Sequence, residues 1–352
     1  MSFTPLPAFV IWDITYACPL RCSHCYSESG RRPKRELPQE EMLRLADVLV
    51  SMRPRAVDIS GGEPLLVKGL QEVAARIVAG GVPIRIYTSG HGVDEVSAGW
   101  IGRLFSIVHV SVDGADAAVH DFIRGREGSF EEAMNALSLF DHLAGHRGER
   151  AGGQVEFGID FTVVQSNFHQ LERLCSEVAP RFPHLRFLSL SSAVPSGLAN
   201  RAGYAEHELL TDEQRAVLRD SELAARLRVL ARGVARVVLS DTLGPPMQPN
   251  QIATTKAFRR VMHIEPNGKV RGISQYEGTV GNILEEPPEV IWRRAEERQC
   301  DAFVRRELSE VRTMKDWAAA ARNIDRHFGS SEELMRISRR KEHTAEAHCK
   351  DF

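Results

Sequence analysis

The chain has 352 residues, 43% hydrophobic and 26% charged, with 45 basic against 47 acidic side chains and a net charge near −2. That length suits one large domain with an appendage, the composition is ordinary for a folded protein, and the near-neutral balance offers no global attraction to nucleic acid or to an anionic membrane. No run of 18 apolar residues occurs and the N-terminus lacks a basic segment followed by an apolar core, so neither a membrane span nor a signal peptide is expected and the expected compartment is the cytoplasm.

Strand and helix signals alternate along the chain. Phe9 to Thr15 reads as a first strand, and the basic run Gly30-Arg31-Arg32-Pro33-Lys34-Arg35 leads to a helix starting near Pro38 with acidic residues in its first turn. Further βα units follow: a strand at 56–60 with a helix at 69–80, Ile84–Tyr87 with a helix near 94–104, and Val108–Val112 with a helix near 130–145. A fifth strand, Val155–Val164, precedes a helix at 168–180, and a sixth, Arg186–Leu190, leads to a long helical region at about 211–232. Six units of this kind describe either a partial (β/α)6 barrel or a doubly wound open sheet, and in both folds ligands gather at strand C-termini. Polar residues at those ends are Thr88-Ser89-Gly90, Ser111, Asp113-Gly114, Gln165, Asn167 and Ser191-Ser192, with turn chemistry the better reading for Gly114 and Asn167.

Directly after the first strand, Cys18, Cys22 and Cys25 stand in C-x3-C-x2-C spacing. Three thiolates from so short a loop can hold three irons of a [4Fe–4S] cubane and leave the fourth iron open for chemistry. The alternatives are a zinc site, for which His24 lies inside the loop but a second ligand pair is lacking, and plain buried thiols. After the second strand comes Gly61-Gly62-Glu63-Pro64, where the glycines permit close backbone approach to a ligand and Glu63 offers a carboxylate to an ammonium group. Taken alone, that tetrapeptide is equally a turn.

With both motifs in place, about 36 residues apart, the chain resembles the radical S-adenosylmethionine (SAM) superfamily. The resemblance implies a partial (β/α)6 TIM-type barrel, a [4Fe–4S] cluster on Cys18, Cys22 and Cys25, and SAM as the second cofactor. It implies that SAM binds the open iron, that Gly61, Gly62, Glu63 and Pro64 hold its amino group, and that His24 is the aromatic residue common before the third cysteine. Ser111-Val112-Asp113-Gly114 and His120-Asp121-Phe122-Ile123-Arg124-Gly125 resemble the family's pattern after the fourth strand, so Ser111, Asp113 and Arg124 join Thr88 as expected SAM-binding residues, Arg124 through a bidentate fork on a carboxylate. Reductive cleavage of SAM would then yield a 5′-deoxyadenosyl radical that abstracts hydrogen from substrate, with binding and orientation as the protein's share.

Residues 236–352 carry a second resemblance. Pro266-Asn267-Gly268 is a hairpin turn signal, and with Gly281-Asn282-Ile283 and Ile291-Trp292 it is similar to the SPASM/twitch extension of radical SAM maturases, a small α+β unit following a barrel at 1–235. Ile273 stands where that pattern has its first cysteine ligand, and Cys300 and Cys349 are too scattered for an auxiliary cluster. Without an internal electron sink, a redox-neutral outcome is expected: elimination or decarboxylation of a small-molecule or peptide natural-product precursor by a lyase-type enzyme. One alternative is a cysteine-dependent radical epimerase of a peptide or sugar, with Cys300 as the catalytic thiol; another is a non-catalytic iron–sulfur or zinc sensor or partner protein. Expected partners are the substrate and an electron donor such as flavodoxin or ferredoxin, with neither nucleic acid nor membrane.

Overall fold

The computed structural model describes residues 6–146, 155–242 and 261–343. Ten strands form one sheet in the order β10-β9-β8-β1-β2-β3-β4-β5-β6-β7. The first six are β1 (Phe9–Thr15), β2 (Ala56–Gly61), β3 (Ile84–Thr88), β4 (Ile107–Ser111), β5 (Glu156–Val163) and β6 (Phe187–Ser192), each pairing in parallel with the next. Spatial order equal to chain order removes the doubly wound alternative, which needs a reversal of winding direction. Right-handed crossovers taken always to the same side stack the helices on one face and leave the other face free, as a partial barrel requires.

Alternation within the strands serves these two faces. Val108 and Val110 of β4 are fully buried against the helices, while the alternating His109 and Ser111 are only half-buried. The helices Gln39–Met52, Leu70–Ala79, Glu95–Leu104 and Ser129–His146 supply the other side of that core with Leu45, Leu49, Val73, Ile77, Ile101, Leu137 and Phe140. At Glu95–Leu104 a reciprocal cap between Asp94 and Ser97 marks the helix start.

Several elements differ from the sequence expectation. A short helix, Ala117–Arg124, stands after β4, where only a motif was read, and it ends at Gly125 in the left-handed region. The long helix expected over 211–232 is two, Asp212–Leu218 and Ser221–Leu230, because Asp220 caps the second. The stretch 165–181 is irregular, with a π turn at Leu174–Val178.

The extension continues the sheet at both edges. β7 (Arg236–Ser240), a strand without an expectation, pairs in parallel with β6, and β8 (Val261–Ile264) pairs in parallel with β1. Lys269–Arg271 is β9 and Thr279–Asn282 is β10, and the expected hairpin turn holds Gly268 at φ +79 between β8 and β9. The boundary drawn at 235 thus falls inside a continuous sheet. The helices Pro288–Gln299, Ala302–Ser309, Met314–Phe328 and Ser331–Ser338 follow. Met314–Phe328 centres a second apolar cluster with Trp317, Tyr276, Tyr204 and Ile123, and there the Trp317 indole donates to Tyr276 at 2.8 Å.

Candidate active site

Parallel pairing of β1 with β2 brings the two motifs side by side at the strand C-termini. Gly62 N donates to Thr15 O at 2.7 Å and Glu63 N to Ala17 O at 2.9 Å, so Gly61-Gly62-Glu63 is zipped onto the backbone that enters Cys18. A Cβ on Gly62 would lie 2.0 Å from Ala17 O, which explains why this position takes glycine. The far side of the cysteine loop rests on the helix Ala117–Arg124: Arg21 N donates to Arg124 O at 2.9 Å and Ser23 N to Ile123 O at 2.8 Å. Its end is held by Leu198 N donating to Cys25 O at 3.0 Å, and Cys25 Sγ meets Ser27 Oγ at 3.5 Å, which in turn donates to Gly61 O.

Glu63 is fully buried, and four donors already face its carboxylate: Thr88 Oγ1 at 2.8 Å and Leu65 N at 3.2 Å on Oε1, Ser89 N at 2.8 Å and Ser89 Oγ at 2.6 Å on Oε2. A carboxylate has about four lone-pair sites. An incoming cation would have to replace one of the two hydroxyls, which can rotate away; Ser89, expected at the strand end but not among the expected SAM-binding residues, holds this carboxylate through both its N and its Oγ. Burial pushes the Glu63 carboxyl above its ordinary value despite the Ser89 hydrogen bonds, a cost that a bound cation relieves. Pro64 opens the short turn Pro64–Leu66 that follows.

Asp113 joins the other expected residues. Its Oδ2 lies 2.8 Å from His24 Nε2 and 2.7 Å from Arg124 Nε, its Oδ1 accepts from Thr162 N at 2.8 Å, and Asn167 Nδ2 donates to its carbonyl at 3.0 Å. Asp113 is fully buried, and its carboxylate oxygens meet His24, Arg124 and Thr162 N. Burial works to raise its pKa, but Arg124 and His24 outweigh that and hold it well below the carboxylate range. Asn167, read as turn chemistry, braces this centre. Arg124 Nη1 reaches Cys22 Sγ at 3.8 Å. Ser111 ends β4 half-buried on the lumen side.

The three thiols suit an iron–sulfur cluster. Burial pushes Cys18 up to about 12 and Cys22 up to about 11, the latter against the pull of Arg124, so a bound cation must displace their protons. Among the described residues, the only trio of His, Cys, Asp or Glu ligand atoms lying within 4.8 Å of one another is Glu265, Glu277 and Glu333.

Sequence reading missed a second layer behind the cysteines. Tyr26 donates to Asp13 Oδ1 at 2.6 Å, and His263 of β8 lies 3.0 Å from Asp13 Oδ2. A lone acid inside the apolar strand Phe9–Thr15 was the available signal. Arg31, read only as part of a basic loop, donates to Cys22 O at 3.3 Å.

Cys300 falls elsewhere. It caps the helix Pro288–Gln299, which packs against β10, the edge strand on the far side of β8 and β9 from β1. Cys175 is fully buried in the irregular helix, with burial pushing its thiol up to about 12. Cys349 lies outside the described residues.

A singly wound parallel sheet with this cysteine loop at its C-terminal edge defines the partial-barrel class. The family model of the Radical SAM superfamily matches residues 12–143. The mycofactocin maturase MftC of Mycolicibacterium smegmatis is 31% identical over 295 residues, covering 82% of this chain and 71% of that protein. An AdoMet-dependent heme synthase of Nitratidesulfovibrio vulgaris is 25% identical over 83% of this chain and 80% of its own length. Among solved structures, SuiB of Streptococcus suis bound to S-adenosylmethionine superposes with TM-score 0.62 at 14% identity, covering 82% of this chain and 66% of SuiB. anSMEcpe with bound AdoMet gives 0.60 at 15% identity, over 94% of this chain and 99% of that one. The chain belongs to the radical SAM superfamily, whose enzymes use a [4Fe–4S] cluster and S-adenosylmethionine. No helix among the described residues is long and apolar enough to cross a membrane.

Proposed function

We propose that this radical SAM enzyme modifies a peptide or small-molecule natural-product precursor by a redox-neutral fragmentation, an elimination or decarboxylation. A precursor of this kind is supported by relatives named as maturation proteins, MftC and SkfB of Bacillus subtilis, and by SuiB, whose structure was solved bound to the precursor peptide SuiA. The heme synthases among the relatives keep a small-molecule substrate in view.

Cys18, Cys22 and Cys25 would hold the cluster. Gly61 and Gly62 bring backbone close to SAM, Glu63 receives its ammonium with Thr88 and Ser89 yielding a hydroxyl, and Ser111 stands at the strand end beside them. The cofactors together supply a hydrogen-abstracting radical. What the chain adds is orientation and exclusion of water from the strand ends. Cleavage of SAM takes one electron from a low-potential donor of the flavodoxin or ferredoxin kind, and the product radical left by fragmentation takes a second electron from that donor and a proton from solvent, which keeps the substrate's own conversion redox-neutral.

The observation that carries the redox-neutral reading is Ile273. At the hairpin position where the resemblance has a cysteine, it packs against the second apolar cluster beside Tyr276, a place for hydrocarbon rather than an iron ligand. The position of Cys300 at the outer edge supports fragmentation over inversion, which needs a thiol on the substrate face opposite abstraction.

Anaerobically reconstituted, reduced protein should bind near four irons per chain and convert SAM to 5′-deoxyadenosine, and the triple alanine variant of Cys18, Cys22 and Cys25 should do neither. Iron near eight per chain would reveal a second cluster and remove the redox-neutral argument.

A further inference from the structure

Arg124 sits where its charge acts on a ligand sulfur. Nη1 points to Cys22 Sγ at 3.8 Å, and on the opposite side of the fork Nε is paired with Asp113 Oδ2 at 2.7 Å. Both partners are buried, Cys22 at 8% and Asp113 at 0% exposure, so water screens neither contact. The fork is fixed as well as charged. Asp113 is itself held by Thr162 N, Asn167 accepts Val164 N at 2.8 Å while donating to Asp113 O, and Gly125 closes the helix right after Arg124. A Cβ on Gly125 would meet Arg21 O at 2.6 Å, so helix end and cysteine loop are in backbone contact.

We propose that Arg124 is a positioning residue that raises the reduction potential of the cluster by donating a charged hydrogen bond to Cys22 Sγ, and that Asp113 moderates this effect as its counter-charge. This rests on Cys22 being a cluster ligand. The reason is electrostatic: adding one electron to the cluster increases negative charge on its thiolates, and a guanidinium 3.8 Å from one of them stabilises the reduced form more than the oxidised. Hydrogen bonds to ligand sulfurs and net local charge are among the recognised levers on iron–sulfur potentials. Arginine stays protonated under all working conditions, so the effect is constant rather than a switch.

The test uses full-length, anaerobically reconstituted protein without SAM, so that any effect on SAM binding does not enter. Reduced viologen donates one electron, and the reduced cluster is counted by its paramagnetic signal across a potential titration. Arg124→Gln should lower the reduced-to-oxidised ratio at fixed potential about tenfold, equivalent to ~59 mV for one electron. Asp113→Asn, which strips the guanidinium of its counter-charge, should raise that ratio. Opposite shifts are the signature of charge, whereas mere loosening of the loop moves both variants the same way. Equal potentials in all three proteins, or shifts of the two variants in one direction, overturn the proposal. If Arg124→Gln assembles no cluster, Asp113→Asn decides: a rise supports the proposal, and no change or a fall sinks it. Failure of the wild type to assemble a [4Fe–4S] cluster would overturn the ligand assignment instead.

Discussion

Arg340 Nη2 donates to Glu28 Oε1 at 2.7 Å, tying the last described segment to the loop that follows the cysteines. Glu28 is buried, its N bonds to Cys25 O, and Arg336 pairs with the same carboxylate as well as with Glu277 at 2.7 Å. Replacing both arginines with methionine leaves a buried carboxylate without its cations, a change that costs about 3–5 kcal/mol in comparable buried pairs. The double variant should melt earlier and lose iron to a chelator faster than wild type, and either single variant should do so less. Equal rates of iron loss would show that the C-terminal segment does not support the cysteine loop.

Glu63→Gln and Gly62→Ala should separate two functions of one motif. Glutamine keeps the shape and the cluster but removes the charge, and hydrogen bonds to charged groups are worth about 1.5–3 kcal/mol, so SAM affinity should fall about tenfold or more. Alanine at 62 puts a Cβ 2.0 Å from Ala17 O, so the backbone entering Cys18 must move and both cluster content and SAM binding should drop. Equilibrium SAM binding and iron content on each variant check this. Unchanged affinity in Glu63→Gln would take the carboxylate out of the site.

His120 should make stability fall in mild acid. Its Nδ1 accepts from Asp113 N at 3.1 Å, and burial, with Arg124 adding to it, lowers its pKa from 6.5 to about 4. The unfolded chain therefore binds a proton that the folded chain refuses. Stability is full above 6.5 and is lost as pH falls towards 4, on the order of 3 kcal/mol in all. Denaturant titrations between pH 4 and 7 should show this slope in wild type and a reduced slope in His120→Gln. The same slope in both would assign it to other groups.

Cys300→Ala distinguishes fragmentation from inversion. On the proposed chemistry the variant makes 5′-deoxyadenosine and product as wild type does, and product carries no solvent deuterium at an inverted carbon. Loss of product with 5′-deoxyadenosine retained would establish a cysteine-dependent epimerase. Any stability change should stay near the 1–3 kcal/mol typical of a partly buried side chain.

Local chemistry was legible from residues alone. Cys18, Cys22 and Cys25 crowd into eight positions, glycines stand where backbone must come within hydrogen-bond reach, and apolar runs bounded by turns mark β1 to β6 within about two residues. Those features depend on neighbours in sequence, and short-range sterics and hydrogen bonding decide them. Strand order was not legible, because a βα unit carries the same pattern whether the next strand lies to its left or right. β7 escaped notice since its edge position leaves Val238 exposed and blurs the burial signal. Nor does the sequence show that Asp113 meets Arg124 and His24, that Asp13 meets His263 across 250 positions, or that Arg340 reaches Glu28. Buried charges need partners, and which partner arrives is settled only when the sheet brings distant strand ends together.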